Sequence, residues 1–259
     1  MDTIIKSEQK EVKISFEAPF TIIGEKINPT GRKKLAAALK EGNYDYVRSL
    51  ATRQVETGAD ILDVNVGVPG LDEVAVLPEV ARLVSEAVDA PLCLDSANHK
   101  AIAAALEVLP GKPLVNSVNG EEKSLSAVLP VVKEFGVAVI GLTMDDDGIP
   151  NDAETRLAIA EKILDRAAQL GISAEQVVID PLVLTVGSDS KAGAVTLQTI
   201  QLLKQQFGVN VNLGASNVSF GLPDRHTINQ AFLSLAMGIG ATCAITDPIK
   251  LTSTIRATD

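Results

Sequence analysis

Eight short, almost wholly apolar runs recur along this chain of 259 residues, usually with a helical stretch between one and the next. They are TIIGEK (21–26), ILDVNV (61–66), PLCLDS (91–96), LVNSV (114–118), VAVIGLT (137–143), QVVIDP (176–181), NVNLGAS (210–216) and TCAITD (242–247). Strands apolar along their whole length need cover on both faces, as parallel strands under helices have. The intervening segments carry the helical period. Val47, Leu50, Ala51 and Val55 share a face before Gly58; Leu157, Ala160, Leu164, Ala167 and Ala168 repeat the pattern before Gly171. Leu197, Ile200 and Leu203 do so before Gly208, and in each case the glycine supplies a natural stop. This is a βαβ rhythm, and right-handed crossovers close eight such units into an α/β fold, the (β/α)8 TIM barrel. A doubly wound sheet shares the rhythm and is the alternative. Residues 1–20 are read as an N-terminal extension, with KISFEAPF (13–20) forming a short strand or turn over the barrel floor, and 21–259 as the barrel.

Composition removes several function classes. A formal net charge of −10, no Trp and 3% aromatic residues leave neither a basic footprint nor stacking platforms for nucleic acid. No apolar run is long enough to span a membrane, and the first residues, MDTIIKSEQKEVKIS, lack the layout of a secretion signal. Cys93 and Cys243 stand far apart and read as small buried residues in a reducing compartment, so a cytoplasmic location is expected. His99 and His226 show no zinc-like spacing and no metal site is expected. Walker, G-x-G-x-x-G and G-x-S-x-G motifs are missing; Gly238 and Gly240 precede a strand rather than open a helix.

The chemistry lies where the runs stop. Each ends in, or is soon followed by, small polar or acidic residues: Glu25 and Asn28; Asp63 and Asn65; Asp95, Ser96 and Asn98; Asn116, Ser117 and Asn119; Thr143 and Asp145; Asp180; Ser216 and Asn217; Thr246 and Asp247. The C-terminal rim of a (β/α)8 barrel is its active-site face. Asn, Asp and Ser also cap helices and make turns there. Capping explains less well why Asp63, Asp95, Asn116 and Asp180 stand inside the apolar runs, where burial is costly unless a partner satisfies them. A rim rich in Asp and Asn suits a neutral heterocycle with several N–H donors better than a phosphate. A pterin offers an amino group beside a ring N–H, and one carboxylate accepts both in parallel.

At these residues the chain resembles the methyltetrahydrofolate:corrinoid protein methyltransferases, a pterin-binding barrel family shared with the folate module of cobalamin-dependent methionine synthase. The matching pieces are IIGEKINPTGRKK (22–34), GADILDVNVG (58–67), LCLDSAN (92–98), LVNSVNG (114–120), IGLTMDDDGIP (140–150), VIDPLVL (178–184), LGASNVSFGLPDR (213–225) and NQAFLSLAMGIG (229–240). The resemblance implies that Asp95, Asp180 and Asn116 anchor the pterin and that Asn217 reaches N-5 of the folate and is the catalytic residue. It also implies that Gly214 and Ser216 line the same loop, that Arg225 lies near the folate and corrinoid side, and that Glu25, Asn28, Asp63, Asn65 and Met144 are rim contacts.

The implied substrate is tetrahydrofolate or its methyl derivative, the corrinoid (cobalamin) is carried by a partner protein, and a homodimer is expected. Direction is left open, since one transition state serves both. Dihydropteroate synthase shares the barrel but needs a phosphate-handling loop and a late basic motif where this chain has SNVSFGLPDRH (216–226); a non-catalytic folate-binding module of a methionine synthase is the other alternative. The initial methionine and the absence of homocysteine and corrinoid domains point to a free-standing subunit. Two features depart from the family pattern. Lys26 stands where many relatives have Arg, and only residues 248–259 follow Asp247, about three helical turns, so the last helix is expected to be short.

Overall fold

The computed structural model describes residues 1–259. An antiparallel hairpin of β1 (Thr3–Lys6) and β2 (Glu11–Ile14) precedes the parallel strands β3 (Thr21–Ile27), β4 (Ile61–Asn65), β5 (Leu92–Asp95), β6 (Leu114–Asn119), β7 (Ala138–Leu142), β8 (Val177–Asp180) and β9 (Cys243–Thr246). The helices are α1 (Lys33–Glu41), α2 (Asp45–Glu56), α3 (Glu73–Ala87), α4 (His99–Val108), α5 (Glu122–Phe135), α6 (Ala153–Gln169), α7 (Ala192–Gln206), α8 (Arg225–Ile239) and α9 (Pro248–Thr258). None is long and apolar enough to cross a membrane.

The strand order β8-β7-β6-β5-β4-β3-β9 leaves one gap between β8 and β9, and residues 210–214 fill it. Ile179 N–H donates to Asn210 O and Asn212 N–H to Ile179 O, both at 2.9 Å. On the other side, Cys243 N–H donates to Val211 O at 3.1 Å and Ile245 N–H to Leu213 O at 2.8 Å. The expected barrel is therefore closed. The seventh run differs from a regular strand: it pairs only at Val211 with β8 and at Gly214 with β9, and no continuous ladder forms.

Period-2 alternation sets what the barrel contains. Ile23, Ile61, Cys93, Leu114, Ile140, Val178 and Cys243 belong to one interior cluster, joined by Ile5, Val12 and Ile14 of the hairpin. The hairpin thus plugs the N-terminal end. The strand expected over the floor begins two residues before KISFEAPF, at Glu11, and residues 15–18 make the turn that follows it. Asn210 ties this plug to the wall, donating to Thr3 Oγ1 and Ile14 O at 2.9 Å each. A separate cluster of 54 buried residues fills the layer between strands and helices.

The helices form where the apolar period placed them, and α6 buries Ala160 and Ala167 as expected, with Ala168 exposed and the inward face shifted toward its isoleucines. It buries Ile159 and Ile163, with Arg156 between its apolar neighbours, while Leu157 and Leu164 only flank the core. The short last helix forms: α9 spans eleven residues. Asp259 accepts Phe20 N–H at 3.0 Å, and Arg256 bonds Phe20 O at 2.7 Å and Asp60 at 2.8 Å.

Candidate active site

Two residues further along each strand from the apolar interior layer, the same face turns polar. Ile23, Ile61, Cys93, Leu114 and Val178 are succeeded by Glu25, Asp63, Asp95, Asn116 and Asp180; only β7 and β9 stay apolar, with Leu142 and Ile245. A change from apolar to polar at one level of the barrel makes a floor and a ring of hydrogen-bonding groups above it.

The ring is wired side chain to side chain. Asn116 Nδ2 donates to Asp63 Oδ1 at 3.2 Å and Asn65 Nδ2 to Asp95 Oδ2 at 2.9 Å. Asp180 accepts Asn212 Nδ2 at 2.7 Å and Leu182 N–H at 2.8 Å. Ser216 Oγ donates to Glu25 Oε2 at 2.7 Å, and Ser96 Oγ to Glu73 Oε2 at 2.5 Å.

Burial sets the electrostatics. It pushes Asp63 well above the usual carboxylate range, and the neighbouring Asp95 charge adds to the effect, against the Asn116 hydrogen bond. Burial likewise raises Asp95, opposed by Asn65 and assisted by Glu73. Asp180 is pushed up to about 6 by burial, in spite of its bonds from Leu182 and Asn212. Asp63 and Asp95 thus resist ionisation as a neighbouring pair, and Asp180 does so separately through its own burial, a pattern common at functional sites.

Asp95 and Asn116 line a cavity of about 400 Å³ with Ser96, Asn119, Glu121 and Leu142. Asp180, 5% exposed, does not open onto it; it pairs in register with Leu142, which does. A cavity of similar volume lies at the opposite end of the barrel, beside the hairpin turn at Ser7 and Gln9, and none of the ring residues reaches it.

The other sequence-predicted residues divide into two sets. Asn28 Oδ1 accepts Thr30 N–H, Asn98 and Asp247 cap α4 and α9, and Asp145 accepts Asp147 N–H, so these serve turns and helix starts. Met144 contributes a backbone carbonyl that accepts Gly120 N–H at 2.8 Å. Gly214, Ser216 and Asn217 stand together where the 210–214 segment passes into a 3-10 turn. Asn217 is exposed and folds back over Gly214, where an added Cβ would lie 3.1 Å from its Nδ2. Arg225 is tied to this turn, donating to Ser216 O at 2.7 Å and Ser219 Oγ at 3.0 Å.

Two residues escaped the sequence reading. Asn212 was visible by the logic that picked Asn116, as an amide inside an apolar run. Arg156 is 1% exposed and binds Pro181 O at 2.7 Å, Leu182 O at 2.8 Å and Pro150 O at 2.9 Å. It clamps the loop that leaves Asp180, where Leu182 adopts φ 61°. Its signal was a lone cation on the buried stripe of α6.

The family described as pterin binding enzyme matches residues 24–247. The methylcorrinoid:tetrahydrofolate methyltransferase of Eubacterium limosum is 30% identical over 246 residues, 92% of this chain and 89% of that protein. The methionine synthase of Mycobacterium tuberculosis is 30% identical over 260 residues, 95% of this chain but 22% of that much longer protein. Among solved structures, Yersinia pestis dihydropteroate synthase with a pterine-sulfa conjugate has a TM-score of 0.76 at 17% identity, covering 99% of this chain and 97% of that one. The Xanthomonas albilineans enzyme with 7,8-dihydropteroate has a TM-score of 0.72 at 20% identity, covering 98% and 96%. At these identities the structural likeness carries the fold alone.

Proposed function

The chain belongs to the pterin-binding enzymes, and on that premise we propose that it is a methyltransferase moving a methyl group between N-5 of a tetrahydrofolate and the cobalt of a corrinoid protein. The observation that carries this reading is the ring of buried and half-buried carboxyl and amide groups above an apolar floor, in a chain similar over nearly its whole length to a methylcorrinoid:tetrahydrofolate methyltransferase.

The pterin ring enters the cavity at Asp95 and Asn116, with Asp180 in register beside the lining residue Leu142. Carboxylates accept the amino and ring N–H donors in parallel, which fixes the ring plane. The corrinoid, brought by the partner protein, supplies the cobalt that gives or takes the methyl group. This chain contributes position and one hydrogen bond. A tertiary amine is a poor leaving group unless its nitrogen gains positive character, and Asn217 Nδ2, at the rim beside Gly214, donates to N-5 as charge changes there. Asp63, held by Asn116 and beside Asp95, keeps the anchoring pair in place. Glu25 orients the Asn217 turn through Ser216. A homodimer in the cytoplasm, with a transient corrinoid partner at the open rim, completes the proposal.

Equilibrium binding tests the pterin half. Tetrahydrofolate should bind the wild type, and Asp95→Ala and Asn116→Ala should each weaken it by about tenfold or more, the worth of one charge-assisted hydrogen bond or its loss. Unchanged affinity in both variants would remove the pterin from this cavity.

A further inference from the structure

A second rim cavity, of about 180 Å³, opens between the ends of β3 and β9 and the start of α8. Lys26, Arg32, Arg225 and Lys250 line it against only two carboxylates, Glu25 and Asp247, in a chain whose net charge is −10. Lys26 pairs with Asp247, and Arg32 stands 3.8 Å from Glu25, while Lys250 and the neighbouring His226 make no ion pair. The wall therefore keeps a surplus of positive charge after its internal pairs are counted.

Two further observations point to an anion. Helix α8 begins at Arg225 after Asp224, which adopts φ 48° and makes no side-chain cap hydrogen bond. Uncapped helix starts attract negative charge. Asn229, one turn further along α8, lines the same cavity at 8% exposure, and its buried Oδ1 has no hydrogen-bond partner. An amide left so costs stability, and its NH2, which bonds nothing within the chain, is a donor for an acceptor in the cavity.

The position of the cavity says what the anion is attached to. Ser216 lines it and is the residue before Asn217, so the two sites share one turn. On the proposed folate pose, with N-5 at Asn217, the far end of the ligand leaves from this shared turn. That far end carries carboxylates.

We propose that this cavity is a subsite for the carboxylates of the folate's glutamyl tail, with Lys250, Arg32 and Asn229 reading the length of that tail. The proposal rests on the methyltransferase reading of the pterin site. Chains of γ-linked glutamates add one carboxylate per residue, and a basic, partly enclosed wall gains affinity with each until it is full. Recognition of this kind falls with ionic strength, unlike hydrogen bonding to the pterin.

The test is equilibrium binding of three ligands to the intact protein: tetrahydropteroate, which lacks glutamate, and tetrahydrofolate with one and with three glutamates. The triglutamate should bind about tenfold tighter than the monoglutamate at low salt. In Lys250→Gln and in Arg32→Gln that ratio should fall toward one, with tetrahydropteroate affinity unchanged. Equal affinity for one and three glutamates in the wild type would overturn the subsite. So would inorganic phosphate binding to the cavity with no gain from added glutamates, which would mark a site for free anions. Failure of tetrahydropteroate to bind would instead sink the pterin site on which the subsite depends.

Discussion

Asn212 donates its side-chain N–H to Asp180 Oδ2 at 2.7 Å, so the one stretch of barrel wall without a regular ladder holds a buried carboxylate of the site. Burial outweighs that bond and lifts Asp180 from an ordinary 3.8 to about 6. A carboxyl whose folded value is raised stabilises the fold below its unfolded value and loses that contribution as pH rises through the folded one. The unliganded protein should therefore lose stability between about pH 4 and 6, by up to roughly 3 kcal/mol from this group. Asp63 and Asp95 push in the same direction. Melting temperature against pH checks it: Asp180→Asn should flatten part of the decline and melt higher than wild type at pH 7. A wild-type profile that climbs through this window would contradict the assignment.

Arg156 has no contact with the cavity, yet its guanidinium holds the carbonyls of Pro181 and Leu182, and Leu182 N–H holds Asp180. Arg156→Leu should destabilise the protein by roughly 3 kcal/mol, because it strands several buried carbonyls. Arg156→Lys should recover part of the stability. Tetrahydrofolate affinity, measured on folded protein, should follow the same order. If Arg156→Leu bound folate normally, the clamp would be structural only.

These two residues show where sequence reading reached its limit. The strands were legible because an apolar run between glycine-stopped helices has few ways to pack. Asp63, Asp95, Asn116 and Asp180 were legible because polarity inside such a run is costly. Asn28, Asn98 and Asp247 looked alike in the sequence, and only the hydrogen bonds send them to turns and caps. On α6 the expected Ala160 and Ala167 are buried, but Arg156 was missed because leucines outrank an arginine in any apolar count, whereas Arg156 is buried for its carbonyl partners. The irregular pairing of 210–214 depends on its two neighbours, and no local pattern encodes it.

Asn217 is exposed and contributes no buried contact, so Asn217→Ala should change stability by less than about 0.5 kcal/mol. Turnover should fall by roughly tenfold to a hundredfold, the worth of a hydrogen bond that strengthens in the transition state. KM for folate should move less than kcat. Asp145→Asn, whose side chain makes a local turn, should keep normal turnover. Steady-state kinetics on both variants decides; loss of activity in Asp145→Asn alone would transfer the role.

The hairpin plug carries its own consequence. Ile14 is fully buried and packs into the interior cluster with Ile23, Ile61 and Cys93. Ile14→Ala should cost about 2–5 kcal/mol through lost burial and the cavity left behind. A urea titration should show a lower midpoint with the slope preserved. A midpoint equal to that of the wild type would mean that the barrel does not need its floor.

The central claim is methyl transfer between folate and cobalt, and absorbance spectroscopy reads it directly. Mixing the protein with methyltetrahydrofolate and Co(I) cobalamin, and separately with tetrahydrofolate and methylcobalamin, should give cobalt spectral conversion that depends on the protein. That conversion should fall at least tenfold in Asn217→Ala and in Asp95→Ala. No conversion in either direction, with free cobalamin or with a corrinoid protein, by a preparation that binds tetrahydrofolate would contradict the account and leave a pterin-binding barrel without this chemistry.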